Sequence, residues 1–324
     1  ATNIMGKIID ITGLMNITGI NHSGTIDVTE NMSGLESNPK DDWLFLCLLV
    51  LKDLSQRTDI KISSIANIGS GNGIDIIAEL KLFKNLNKII VTDIIEEILP
   101  QIRKNIESNL PEESKKIQIT YVAGRDCEPV KEKVDLIYGN LPLIMVSTDE
   151  LDKNRATTTL TEASHYLHLS QGQNDILQKY SLLSQLGFLL SAKEKLQQGG
   201  MIITLIGGRV PDEAIKEVFH RAGLGYRELY CAFKMQADPE FLEQYAKYET
   251  AEQVKFFFYD YEKASKIIKD KLQIVVPDII KNNSGEQLKE LLKDVRLNAN
   301  QAYAFAKDRR PVGHIAFAFE ATIL

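Results

Sequence analysis

The sequence predicts an α/β fold: a mainly parallel, seven-stranded sheet with helices on both faces. Three observations lead there. Short apolar runs alternate with amphipathic stretches of helical period through the middle of the chain. The first run, Ile65-Ala66-Asn67-Ile68, empties into three alternating glycines, Gly69, Gly71 and Gly73. The next run ends on Asp93, about 20 residues downstream, the spacing at which a dinucleotide-type fold places a ribose-binding carboxylate.

Residues 1 to about 38 are rich in Asn, Gly, Thr and Ser with scattered Ile, so they read as an irregular or short-stranded arm that covers another part of the molecule. From 41 to 54 the apolar residues crowd together, Trp43 to Val50 almost without interruption, which predicts a buried helix announced by Asn38-Pro39. Residues 1–55 are thus an arm and capping helix, and 56–324 the main domain.

Strands are expected at 65–68, 89–92, 117–122 and 134–138, with helices over 74–82 and 96–109. The polar segment from about 146 to 175 is longer than an ordinary connection and sits where a lid belongs. A long helix is expected over 176–197, stopped by Gly199-Gly200, then a strand at 201–206 and a helix from Pro211 to Arg221, where a first-turn proline is harmless. Strands at 226–233 and 314–321 complete the series, the latter alternating as an antiparallel strand does. An insertion of mixed character, about 237–300, lies between them and includes Phe256-Phe257-Phe258-Tyr259 and Ile274-Val275-Val276. The whole is Rossmann-like.

A formal charge of −6 over 324 residues argues against a broad phosphate-binding footprint and hence against a nucleic-acid partner. No apolar run reaches bilayer length and the opening lacks a signal-peptide pattern, so a cytoplasmic protein without a membrane partner is expected. Cys47, Cys127 and Cys231 are far apart, which suggests neither a disulfide framework nor a zinc site. His165 and His168 have helical spacing, but with no third ligand in an evident motif they read as polar helix surface, and no metal is expected. Oligomeric state is not legible.

In open parallel sheets ligands lie at the carboxyl ends of the strands. The glycine turn lets backbone approach a bulky ligand while the next helix aims its first amides at it. A nicotinamide site wants a small residue soon after the third glycine, and Ile74 is branched. S-adenosylmethionine is therefore the expected ligand ahead of NAD, held at the ribose by Asp93, with a plain structural turn as the third option. Strand three ends in Gly124-Arg125-Asp126, and Asp126 is placed to accept from an adenine amino group or to be a surface loop aspartate. Strand four ends in Gly139-Asn140-Leu141-Pro142, similar to the Asn-Pro-Pro-aromatic tetrad of amino-methyltransferases with its first proline and its aromatic replaced. Asn140 offers donors and an acceptor beside a methyl donor, and Pro142 fixes the chain without a competing amide. The lost aromatic weakens the case for a planar acceptor, and ordinary turn chemistry is the alternative. Strand five ends in Gly207-Gly208-Arg209, where two glycines let backbone pass close to ligand and Arg209 offers a fork for a carboxylate, a solvated arginine being the alternative.

With these strand ends in place, the chain resembles class I S-adenosylmethionine-dependent methyltransferases, and more closely the N-terminal methyltransferase domain of methionine S-methyltransferases. The likeness rests on Asp42-Trp43, Gly69-x-Gly71-Asn72-Gly73, Gly139-Asn140-Leu141-Pro142, Glu162-Ala163-Ser164 and Gly207-Gly208-Arg209. It continues through Gln236-Ala237-Asp238, Phe256-Phe257-Phe258 and Ala302-Tyr303-Ala304-Phe305 to the last strand, covering nearly everything after about residue 40. Two departures stand out: Asn67 replaces an acidic residue common in class I enzymes, and the aminotransferase-like region of the plant enzymes is missing.

The resemblance implies Asn67 among the cofactor residues, Trp43 beside Arg209 at the substrate, and Asn140 and Pro142 at the reacting centre. It implies methyl transfer to a small amino-acid-like acceptor, the thioether of methionine first, giving S-methylmethionine. The alternatives are an N- or O-methyltransferase of another small metabolite, and a non-catalytic S-adenosylmethionine- or nucleic-acid-binding protein.

Overall fold

Residues 6–146, 160–236 and 239–324 are described by the computed structural model. In chain order the strands are β1 (Lys7–Asp10), β2 (Thr25–Val28), β3 (Ser64–Ile68), β4 (Lys88–Asp93), β5 (Gln118–Ala123), β6 (Val134–Gly139) and β7 (Ile144–Val146). They continue with β8 (Leu160–Glu162), β9 (Leu196–Gly207), β10 (Leu224–Met235), β11 (Phe258–Asp260), β12 (Asp278–Ile279), β13 (Arg296–Leu297) and β14 (Val312–Ile323).

The central sheet runs β12-β10-β14-β9-β6-β3-β4-β5. From β9 to β5 neighbours are parallel, and β14 is antiparallel to both β9 and β10. Seven of these are the expected strands. The sheet has ten because the insertion adds β12 at one edge and the pair β11 and β13 beside β14.

Alternation along the strands divides the core into two layers. Ile65, Leu136, Ile203 and Leu205 face helices Trp43–Gln56, Ile74–Leu82 and Leu99–Asn109. Ala66, Ile137, Ile202 and Ile206 face Leu183–Lys193, Asp212–Ala222 and the insertion, with Phe188 and Phe219 fully buried.

The N-terminal arm is a β1–β2 antiparallel pair around the helix Thr12–Ile17. Asparagines pin it to the domain. Asn105 accepts from the Asp27 amide at 3.0 Å and donates to the Asp27 carbonyl at 3.0 Å, Asn109 donates to the Thr25 carbonyl at 2.8 Å, and Asn72 to the Ser33 carbonyl at 3.1 Å.

Three elements differ from expectation. The helix over 176–197 is broken into Ile176–Lys179 and Leu183–Lys193 by Ser181 at φ 58, whose hydroxyl accepts from the Met145 amide and donates to the Leu143 carbonyl. Gly199-Gly200 lies inside β9 rather than ending a helix, because a Cβ at Gly200 would sit 2.9 Å from the Asp135 carbonyl oxygen. Ile274-Val275-Val276 forms no strand, and Val275 is exposed. His165 and His168 sit on separate 3-10 turns, Ala163–His165 and Leu167–Leu169, with His165 Nε2 2.8 Å from Glu162. No helix among the described residues is long and apolar enough to cross a membrane.

Candidate active site

A cavity of about 750 Å³ runs along the carboxyl ends of β3, β4, β6 and β9. Its volume lies in the range of ligand pockets, roughly 300–1,000 Å³. One end is formed by the glycine turn. Gly69, Gly71 and Gly73 all have positive φ (66, 55 and 83), a conformation that side chains resist. The turn is closed by the Ser70 amide donating to the Thr92 carbonyl at 2.9 Å and the Gly73 amide to the Ser70 carbonyl at 2.9 Å. A Cβ at Gly69 would lie 2.5 Å from Leu141 Cδ2, so the Asn140-Leu141-Pro142 segment packs directly on the turn. At Gly71 a Cβ would meet nothing nearer than 3.9 Å, which leaves that backbone bare to the cavity.

Asp93 ends β4 on the cavity wall, where Oδ2 accepts from the Gly71 amide and Oδ1 from the Ile95 amide, each at 3.0 Å. Burial raises its carboxyl pKa, and the amides oppose this. Asp126, at φ 48, also lines the cavity, and its Oδ2 accepts from the Tyr166 hydroxyl at 2.9 Å. Burial pushes its carboxyl up to about 6 against the pull of that bond. Asn140 and Pro142 line the same wall, and the Asn140 side chain has no hydrogen-bond partner among the described residues.

Asn67 and Gly73 lie behind the turn, not on the cavity wall. Asn67 is fully buried. Its amide donates to Glu79 Oε1 and its Oδ1 accepts from the Ser70 hydroxyl, both at 2.9 Å. Asp75 stands one turn before Glu79, and burial pushes its carboxyl up to about 7. Burial, and then the charge of Asp75, also push the Glu79 carboxyl well above the usual glutamate range.

At the other end Trp43 opens its helix behind Asp42, whose Oδ1 caps the Leu44 amide at 2.9 Å. Arg209 is only 5% exposed. It donates to Gln236 Oε1 at 2.8 Å, leaves Nε unpartnered, and stands 5.8 Å from the Trp43 ring and 5.2 Å from that of Tyr245. Burial lowers its pKa from the usual arginine range. The two glycines before it serve packing rather than ligand approach: a Cβ at Gly207 would meet Arg209 Nη1 at 2.5 Å, and one at Gly208 would meet Ile315 Cβ at 2.7 Å.

Lys234 and His314 join this end, and the sequence reading missed both. Each is a lone basic residue in an apolar strand, a signal open to inspection. The buried acids Asp75 and Glu79 also carried one, since they stand at i and i+4 in the otherwise apolar start of a helix. The expected lid falls partly on residues 147–159, which lie outside the described residues. Its described part reaches the cavity through Thr161, Glu162 and Tyr166.

No family model and no curated protein matches the chain. Distantly similar solved structures include the [4+2]-cyclase SpnF, 10% identical over 97% of this chain and 93% of its own, with a TM-score of 0.43. The YcgJ protein of Bacillus subtilis is 11% identical over 85% of this chain and 97% of its own, at 0.39. A precorrin-6y methyltransferase from Geobacter metallireducens is 13% identical over 63% and 84%, at 0.36. None of these bears on the chemistry of this chain.

Proposed function

We propose that the protein is a class I methyltransferase that transfers a methyl group from S-adenosylmethionine to a small amino-acid-like acceptor, preferably the thioether of methionine, giving S-methylmethionine. The observation that carries this reading is one cavity joining a glycine turn and its ribose-type aspartate to an aromatic, cation-lined end. The bare backbone at Gly71 and the Asp93 carboxylate on the cavity wall fit an adenosyl group. Bound there, S-adenosylmethionine supplies an electrophilic methyl on a sulfonium.

The chain's own residues do the rest. Asp93 accepts the ribose hydroxyls, Asp126 the adenine amino group, and Asn140 presents its side-chain amide at the reacting centre beside Pro142. Asn67 and Gly73 support the turn from behind. Arg209 takes the acceptor's acid group, and Trp43 walls the acceptor. A thioether attacks through a sulfur lone pair and releases no proton, so orientation and dryness suffice.

One observation favours a second reading, methylation of nitrogen or oxygen on another small metabolite. His314 faces the cavity, burial holds its pKa well below the usual histidine range, and both ring nitrogens are unpartnered. A neutral imidazole is what an acceptor that must lose a proton would use.

The test is to incubate the protein with methyl-labelled S-adenosylmethionine and an amino-acid pool and identify the labelled product by mass spectrometry. Labelled S-methylmethionine is expected. An N- or O-methylated product would install the second reading, and no labelled product would remove both.

A further inference from the structure

We propose that Lys234 and Arg209 together form a carboxylate subsite at the acceptor end, with Lys234 the residue that selects for an anionic acceptor. The proposal deepens the reading above and rests on it for the nature of the cavity. Lys234 lies in β10, 4% exposed, with Nζ 4.7 Å from the centre of the Trp43 ring and no hydrogen bond among the described residues. Arg209, just past β9, comes to the same indole with an unpartnered Nε, and His314 of β14 lies with its ring 5.9 Å from it. Three basic groups from three neighbouring strand segments therefore converge on one tryptophan.

Three acids face this end. Asp41 Oδ1 accepts from the Met235 amide at 2.8 Å, the two Asp42 oxygens accept from the Leu44 and Glu36 amides, and the Glu36 carboxylate also lines the cavity. All three act through space on Lys234. Burial pushes the Lys234 ammonium down to about 8, with Arg209 adding to the effect against Asp42. A lysine placed only for packing would be better replaced by methionine, which fills similar space without the desolvation penalty. Contact with an indole face returns part of that penalty, and an arriving anion returns more. Because Asp41, Asp42 and Glu36 already offset much of the cationic charge, a monoanion such as a carboxylate suits the site better than a phosphate.

Trp43 is the only tryptophan in the chain, so its emission reports on this subsite directly. The protein, alone and with S-adenosylhomocysteine, is titrated with L-methionine, with 3-(methylthio)propanoate, which lacks the amine, with L-methioninol, which lacks the carboxylate, and with inorganic phosphate. The two carboxylates should give saturable changes, and methioninol should bind more weakly by roughly tenfold or more. Lys234→Met should weaken both carboxylates by about tenfold, leave methioninol unchanged and spare S-adenosylmethionine affinity, and Lys234→Arg should recover part. The proposal is overturned if methioninol binds as well as methionine, if Lys234→Met keeps wild-type affinity for carboxylates, if phosphate binds more tightly than they do, or if nothing binds in either state. The ligand comparison needs only wild-type protein, so it decides even if the variant does not fold. Binding of 3-(methylthio)propanoate that depends on Lys234, without methyl transfer to methionine, would sink the thioether reading and leave the subsite standing.

Discussion

At the end of the cavity proposed for the cofactor, the glycine turn and Asp93 come from a single βαβ stretch, residues 64–93, and the wall is bare glycine backbone and carboxylate. At the end proposed for the acceptor, Trp43, Arg209, Lys234, Tyr245 and His314 come from five separate segments, and two buried cations stand among the acids Glu36, Asp41 and Asp42. The first end is shaped by its own turn, with Asp93 fastening Gly71 from the adjacent strand. The second exists only because the sheet brings the ends of β9 and β10 and the start of β14 together. On the proposed function, changes at one end should leave affinity at the other intact.

The largest expected effect is at Asp93. Asp93→Ala removes the ribose acceptors and the fastening of the Gly71 amide, and should weaken S-adenosylmethionine binding by about 100-fold, on the scale of two charge-assisted hydrogen bonds. Calorimetry on the folded variant reads it, and unchanged affinity would take Asp93 out of the site.

Next comes Arg209→Ala, which should raise the Michaelis constant for the acceptor roughly tenfold to a hundredfold, with cofactor affinity spared and Arg209→Lys recovering only part. A comparable loss of cofactor affinity would dissolve the distinction between the ends.

The pH dependences should also separate. Lys234 is charged below about 8, so acceptor affinity should decline as pH rises through that value. The buried carboxyl of Asp75, which borders the other end of the cavity, acts on stability as well. With its folded pKa raised to about 7, its contribution is complete at pH values below about 4, the ordinary aspartate range, and is lost as pH rises through 7. Melting curves should show the wild type losing a few degrees from about pH 5 to about pH 8, and Asp75→Asn should flatten that loss. An unchanged slope in the variant would assign the alkaline loss elsewhere.

The smallest effect is expected at Tyr166→Phe, which frees one oxygen of Asp126 and should change cofactor affinity by a few-fold, about 1 kcal/mol. A null result in a folded variant would mean that Asp126 needs no orientation from Tyr166.

The contrast between the ends also governs what could be read from the sequence. The turn, the helix over 74–82 and Asp93 were legible because glycine spacing, helical period and strand length are local properties. Arg209 was found by its place after a strand. Its surroundings were not, since the partners that explain Gly207 and Gly208 are Arg209 itself and, about a hundred residues on, Ile315. Asn67 was set among the ligand residues by the resemblance alone, and its bonding partner, Glu79, sits in the next helix, where strand-end position gives no sign of it. Lys234 and His314 lie within apolar strands, and only the register of β10 with β14, in which they are opposite each other, brings them together. The short strands β11, β12 and β13 pair with segments far along the chain, beyond the reach of a window of neighbours.

The position of β14 between β9 and β10 also has a consequence for the growing polypeptide. Until residues 312–323 leave the ribosome, β9 and β10 each present an edge with unpaired amides and carbonyls, the kind of edge that recruits other chains. The glycine turn can form earlier, since its strand, helix and Asp93 have already been made. His314 arrives only with the strand that closes this gap, so a nascent chain holds the parts of its cofactor end well before it has an acceptor end, and passes through that interval with its most aggregation-prone surfaces open.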